Sequence, residues 1–158
     1  MQHKWLYILI ATVAIVAGSV FYQLNQSDFT TLDGAKHKHS DYIGKFIIVN
    51  YFAEWCAPCL KEIPELSKLE QIKPDNTVLF AVSYDNLTDE KLAEIKQKYE
   101  MNFPLINAIT TPFPFERPQY LPATYIISPD GTLKGKLFGE QTAENLLDVI
   151  GAAQASAG

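Results

Sequence analysis

Phe46-Ile47-Ile48-Val49-Asn50-Tyr51-Phe52 is a near-continuous run of β-branched and aromatic residues that passes through Ala53-Glu54-Trp55 straight into Cys56-Ala57-Pro58-Cys59. A run of this kind predicts a strand buried on both faces in the middle of a sheet. Beyond it, Leu60, Ile63, Leu66 and Leu69 recur at helical spacing, so a helix is expected from Cys56 to about Gln71, bent where Pro64 removes a backbone donor. Pro74-Asp75-Asn76 closes that helix, and residues 78–84 (VLFAVSY) read as a second buried strand. Strand, helix and strand form a right-handed β-α-β unit with both cysteines at the carboxyl end of the first strand, where open α/β sheets place their sites.

The same sheet extends in both directions. Residues 29–32 read as a short strand, followed by turn signals at Asp33-Gly34 and over residues 40–45. Asn86 or Thr88 can cap a helix over residues 89–99, with acids in its first turn and Lys96 and Lys98 in its last. Residues 103–106 suggest another short strand, whereas residues 110–122 (TTPFPFERPQYLP) hold four prolines and predict a long ordered loop. Residues 123–128 and 132–138 are expected to pair antiparallel around Pro129-Asp130-Gly131. A last helix starts at Gln141 or Thr142 and runs to about Gln154, within a small-residue end over residues 152–158 that is expected to fray.

The first twenty-odd residues are of a different character. Residues 5–24 (WLYILIATVAIVAGSVFYQL) carry no charge, and as a helix they rise about 30 Å, the thickness of a bilayer's hydrocarbon core. Trp5, Tyr7 and Tyr22 suit the two interfaces. A cleaved signal peptide is the alternative, since Val16-Ala17-Gly18 offers small residues, but the apolar run continues past them through Val20, Phe21, Tyr22 and Leu24. The expected organisation is a retained single-pass anchor and joint over residues 1–27, then one domain over residues 28–158. His3 and Lys4 precede the anchor and Asp28 and Asp33 follow it, which keeps the basic end on the cytoplasmic side of a bacterial inner membrane and puts the domain in the periplasm or outside.

Composition narrows the function. A 158-residue chain that is 47% hydrophobic and 20% charged can build one real core, which excludes general disorder. All 18 acids but only 12 of the 13 bases follow Leu24, leaving the exported part at −6; this excludes a nucleic-acid surface and favours proteins or small thiols as partners. Two cysteines spaced C-x-x-C are too few for a disulfide scaffold or a four-cysteine zinc site, so redox chemistry is the economical reading.

Cys56 falls where the strand ends and the helix begins. Its sulfur can face unpaired helix amides and the positive end of the dipole, both of which lower a thiol pKa, so it is the candidate nucleophile. Cys59 lies on the same side one turn deeper and can resolve a mixed disulfide. A static disulfide or two core thiols is the competing reading of a bare C-x-x-C.

Trp55-Cys56-Ala57-Pro58-Cys59, set between an apolar strand and a helix, resembles the thioredoxin-like proteins. Within them the chain is similar to the membrane-anchored TlpA and ResA type, through Val49-Asn50-Tyr51-Phe52-Ala53-Glu54-Trp55-Cys56, Cys59-Leu60-Lys61-Glu62-Ile63-Pro64, Phe103-Pro104, Leu121-Pro122-Ala123-Thr124 and Asp130-Gly131. The resemblance implies an α/β, thioredoxin-like fold with a central mixed β-sheet flanked by helices. It also implies reduction of extracytoplasmic protein disulfides, often in cytochrome c maturation, with electrons supplied by a membrane thiol relay and with the Cys56–Cys59 disulfide as the redox group in place of any other cofactor. Asn50 stands where thioredoxin carries a buried aspartate, and an amide cannot shuttle protons. Glu62 matches a glutamate that the ResA type keeps beside its dithiol; it could raise the cysteine pKa values and exchange protons with Cys59, the alternative being an exposed first-turn acid. Pro122 matches the superfamily's cis-proline, which would leave the Leu121 backbone free to pair with a substrate strand, against an ordinary trans proline at a strand start. Ala57 and Pro58 tune the potential, and Trp55 shapes the rim or packs as a plain core residue.

The proline-aromatic loop departs most from this resemblance, because members often place a helix before the cis-proline. Phe113, Phe115 and Tyr120 could form a substrate groove there, or the loop could simply pack. The same dithiol could run as an oxidase or isomerase if its potential were high. An exported copper carrier is the non-enzymatic alternative, against which stand the close cysteine spacing and the absence of a histidine in the later half. A peroxidase reading lacks a threonine or serine placed ahead of Cys56. His37-Lys38-His39 lacks the further ligands of a metal site and reads as a solvated loop.

Overall fold

Strands that need cover on both faces settle at the centre of a sheet, and here two of them do. The computed structural model describes residues 2–24 and 26–155, leaving aside the side chains of Gln2, His3, Leu6, Gln23 and Leu24. Its elements are α1 (Gln2–Leu24), β1 (Phe29–Thr31), β2 (Lys36–His37), β3 (Phe46–Phe52), α2 (Ala57–Ile72), β4 (Thr77–Ser83), α3 (Asp89–Lys98), β5 (Leu105–Ile109), β6 (Ala123–Ile127), β7 (Leu133–Phe138) and α4 (Ala143–Ala155). The strands form one mixed sheet in the order β2-β1-β5-β4-β3-β6-β7. All seven residues of β3 are buried, and β3 pairs parallel with β4 in unbroken register from Phe46 opposite Thr77 to Phe52 opposite Ser83. On its other side β3 pairs antiparallel with β6.

Side-chain alternation along β3 divides the core in two. Phe46, Ile48 and Phe52 pack with Ile63, Leu66 and Leu69 of α2, Leu146 and Ile150 of α4, and Ile95 of α3. Ile47, Val49 and Tyr51 face the other way, into a cluster with Phe29, Phe80, Phe113 and Tyr125. Asn50 is the one polar residue of the strand and shares the face that meets α2.

Cys56 caps α2 and Thr88 caps α3, its hydroxyl accepting from Lys91 N at 3.3 Å. Pro64 lies inside α2 on an exposed position, and the helix runs on to Ile72. Two expectations are corrected. The strand expected at residues 103–106 runs instead over Leu105–Ile109, because β1 arrives antiparallel and pairs Phe29 with Ile109. The segment around His37-Lys38-His39 is not a solvated loop: His37 is a strand residue stacked on Phe29 (4.9 Å between ring centroids) and bonded to Tyr42 Oη at 2.7 Å, and His39 packs edge-on against Phe113. Both rings help to cover the second face of the sheet.

Among the described residues no helix is long and apolar enough to cross a membrane. The anchor expected over residues 5–24 includes Leu6, Gln23 and Leu24, whose side chains lie outside the described residues. The side chains of α1 that are described are all exposed. Residues 156–158, at the end expected to fray, also lie outside the described residues.

Candidate active site

Buried strand β3 ends at Phe52, the chain turns through Ala53-Glu54-Trp55, and Cys56 becomes the N-cap of α2 with φ −91° and ψ 95°. Cys56 and Cys59 form a disulfide with Cα atoms 5.3 Å apart. The Cys59 N–H donates to Cys56 Sγ at 3.3 Å, so the sulfur sits against a helix-start amide, as its position between strand and helix predicts. Ala57 and Pro58 are exposed in the first turn, Cys56 is 5% exposed and Cys59 1%. Both cysteines are thus buried, and of the two only Cys56 lines the open groove beside them.

Glu62, one turn beyond Cys59 on the same face of α2, is 1% exposed rather than a surface first-turn acid. Its Oε2 accepts from Asn50 Nδ2 at 3.1 Å and its Oε1 from the Gln141 backbone N–H at 3.2 Å. Burial pushes the Glu62 carboxyl up to about 7, while these bonds pull the other way. Asn50 Nδ2 also donates to Thr124 Oγ1 at 3.0 Å, so strand β3, strand β6, helix α2 and the approach to α4 share one buried polar network. Sequence reasoning does not single out Gln141 or Thr124. Thr124 lies in the quoted Leu121-Pro122-Ala123-Thr124 motif, two residues beyond Pro122 and so on the same side of its strand, but nothing local marks Gln141.

The Leu121–Pro122 peptide is cis and Pro122 is buried. Neither backbone polar group of Leu121 is bonded to another described residue, while Pro122 O accepts from Gly139 N at 3.0 Å. Leu121 lies across an open groove of about 430 Å³ from the dithiol, lined also by Trp55, Cys56, Pro58, Tyr84 and Tyr120. Trp55 is 67% exposed, donates from Nε1 to Asp85 Oδ2 at 2.8 Å, and meets Tyr84 edge to face at 6.3 Å. It forms the rim and is not a core residue. Arg117 lies over the Tyr84 ring at 3.9 Å and donates to the Tyr84 carbonyl, tying the proline-aromatic loop to the end of β4.

That loop takes both of the roles the sequence leaves open. Phe113 and Phe115 pack: their rings are stacked at 5.5 Å, and Phe115 stacks on Tyr125 at 3.9 Å, so they cover the sheet and do not line the groove. Tyr120 is 72% exposed and does line it.

A C-x-x-C dithiol at the carboxyl end of a central strand, faced by a cis-proline on the neighbouring antiparallel strand's approach, defines a thioredoxin-like thiol:disulfide oxidoreductase. Comparison with known proteins agrees: residues 22–136 match the AhpC/TSA family model, and the chain belongs to that family. It is similar to thiol-disulfide oxidoreductase ResA of Bacillus cereus, 27% identical over 92% of this chain and 95% of that protein. To the Geobacillus kaustophilus protein of the same name it is 31% identical over 74% of this chain and 68% of that one. Among solved structures, StoA from Bacillus subtilis superposes with a TM-score of 0.62 at 18% identity (77% of this chain, 93% of that one). The exposed lipoprotein thioredoxin Etrx1 of Streptococcus pneumoniae gives 0.65 at 18% identity (78% and 96%), and these two likenesses bear on the fold alone.

Proposed function

We propose that this chain is a membrane-anchored reductase of protein disulfides working outside the cytoplasm of a bacterial cell. The observation that carries the reading is the buried Cys56–Cys59 disulfide, which meets an open groove at Cys56 with the unpaired Leu121 backbone across it, and with buried Glu62 one turn further along α2. In the reduced enzyme Cys56 attacks one sulfur of a substrate disulfide; the other substrate sulfur leaves as a thiolate. Cys59 then loses its proton to Glu62 and attacks Cys56 Sγ, which releases the second substrate thiol and leaves the enzyme disulfide seen here. Two electrons pass from the dithiol to the substrate, and the substrate segment pairs with the Leu121 backbone during the exchange. Asn50 positions Glu62, Trp55 shapes the rim, and Ala57 and Pro58 set the stiffness of the turn.

The cysteine pair is the redox group, and this cycle asks for no other cofactor or metal. Because it consumes reducing equivalents outside the cytoplasm, it needs a membrane thiol relay as donor. The uncharged run of residues 5–24, whose described side chains are exposed, supports a single-pass anchor in the inner membrane, and the resemblance of the Cys56 and Pro122 motifs to the TlpA and ResA type supports a place in cytochrome c maturation. Equilibration of the full chain with glutathione or dithiothreitol buffers of known ratio tests the direction of electron flow. A potential near thioredoxin's, about −270 mV, is the expected result, whereas one near −120 mV makes the protein an oxidant.

A further inference from the structure

The dithiol groove does not end at Tyr120. A second lobe of about 370 Å³ opens on the far side of Gln119 and Tyr120, which line both, and it is walled by Glu116, Arg117, Tyr125, Lys136 and Phe138. Each lobe falls within the range of about 300–1,000 Å³ typical of ligand clefts. Phe138 is 54% exposed at the end of edge strand β7 and meets Tyr120 edge to face at 6.5 Å, so two large rings stand open to solvent along the same path.

Charge distinguishes this lobe from the rest of the domain. The domain carries −6, and most of its lysines that make ion pairs do so on the helices, as with Lys91 and Lys98 on Glu54 and Lys68 on Glu144. Arg117 is the only arginine of the chain. Among the described residues neither Arg117 nor Lys136 is bridged to a carboxylate; one lies over the Tyr84 ring and the other over Tyr125, at 5.7 Å. Glu116 is the single acid of the lobe, which leaves its wall net positive.

We propose that this second lobe is a specificity subsite that takes an acidic side chain and a neighbouring aromatic or apolar one from the substrate segment whose cysteine reacts at Cys56. The proposal rests on the oxidoreductase reading and adds the class of substrate to it. An extended segment advances about 3.3 Å per residue, so one that pairs with Leu121 carries its next few side chains past Tyr120 into the lobe. There Lys136 and Arg117 meet a carboxylate, and Phe138 and Tyr120 meet a ring. An acidic domain that would otherwise repel acidic partners accepts them at this one place beside the dithiol.

The test uses the reduced full chain in detergent micelles and the rate of its oxidation by disulfide-linked dimers of short cysteine peptides. One peptide carries Asp and Phe within four residues of its cysteine, and its counterpart carries Lys and Phe there. Rates are divided by that for uncharged hydroxyethyl disulfide. The expected result is a preference of about fivefold for the acidic peptide at low salt, the scale of an exposed charge pair, shrinking at 0.5 M salt and reversed by Lys136→Glu. Equal normalised rates for the two peptides, or a preference for the basic one, overturn the subsite. Equal rates accompanied by self-association of the chain that Lys136→Glu abolishes mean that a second copy occupies the lobe, and overturn the subsite equally. Failure to react with any of the three disulfides, hydroxyethyl disulfide included, removes the oxidoreductase reading itself.

Discussion

Replacing Glu62 by Gln removes a carboxyl that the fold holds 1% exposed and pushed up to about 7 by burial, against an ordinary value of 4.5. A carboxyl with a raised native pKa binds its proton more tightly in the folded state than in the unfolded one. Its penalty on stability is therefore absent below pH 4.5, grows as pH rises from 4.5 to about 7, and is complete above that. The rise corresponds to about 3 kcal/mol, most of which develops between pH 5 and pH 8. Gln is neutral throughout and escapes this loss. It does, however, turn an NH₂ toward one of two donors, Asn50 Nδ2 or the Gln141 N–H, and so gives up one hydrogen bond, costing about 1 kcal/mol at every pH.

Urea unfolding of the oxidised full chain in micelles, wild type against Glu62→Gln at pH 5, 6, 7 and 8, measures this balance. The two proteins should be nearly equal at pH 5, and the variant should be ahead by about 2 kcal/mol at pH 8. Other titrating groups are common to both chains and cancel in the difference. A difference that stays flat over this range, or one in which the variant loses ground as pH rises, refutes the reasoning, because it means that an ionised Glu62 is well solvated or stabilises the native state.

Further outcomes follow from the same geometry. Cys59→Ser, incubated with an oxidised peptide, should accumulate a mixed disulfide at Cys56 visible by intact-protein mass spectrometry, whereas Cys56→Ser should form none; a stable adduct at Cys59 in the latter would reverse the roles given to the two sulfurs. Phe115→Ala removes a ring stacked at 3.9 Å on Tyr125 and 5.5 Å from Phe113, and should cost about 2–3 kcal/mol in urea unfolding while making residues 110–122 the first site of limited proteolysis.

Segments with one strong period are legible in the sequence alone. Phe46–Phe52 and the helix that follows carry unambiguous patterns, and Cys56, Cys59 and Pro122 are fixed by them and by motif position. What the sequence hides depends on partners distant along the chain. Lys36 and His37 form a strand only because Phe29 and Thr30 lie beside them, and β5 reaches Ile109 only because β1 pairs with it. The proline-aromatic loop has no period at all, and the division of its aromatic residues between packing and exposure is decided by distant partners: Phe113 meets Phe29, Phe115 meets Tyr125, and Tyr120 meets exposed Phe138. Trp55 reads equally as rim or core for a similar reason, since its Asp85 and Tyr84 partners arrive from the end of β4.

The placement of one amide and one acid shows how far the buried site is a single unit. Asn50 Nδ2 spends both of its N–H groups, one on Glu62 Oε2 and one on Thr124 Oγ1, while the Gln141 backbone N–H takes the other carboxylate oxygen. An aspartate at position 50 would offer no donor to Glu62 and would set a second carboxylate about 3 Å from the first, where both cannot ionise together. With the acid carried by α2, the strand residue must therefore be a donor, and asparagine is the close isostere that supplies one. Thr124 completes the set two residues beyond Pro122. Glu62, the proposed acceptor of the Cys59 proton, is thereby tied through hydrogen bonds of 3.0 and 3.1 Å to the strand that follows the cis Leu121–Pro122 peptide. In surroundings this dry, losing one member leaves a buried donor or acceptor unsatisfied, so the proton transfer and the substrate alignment proposed above would rest on the same few atoms.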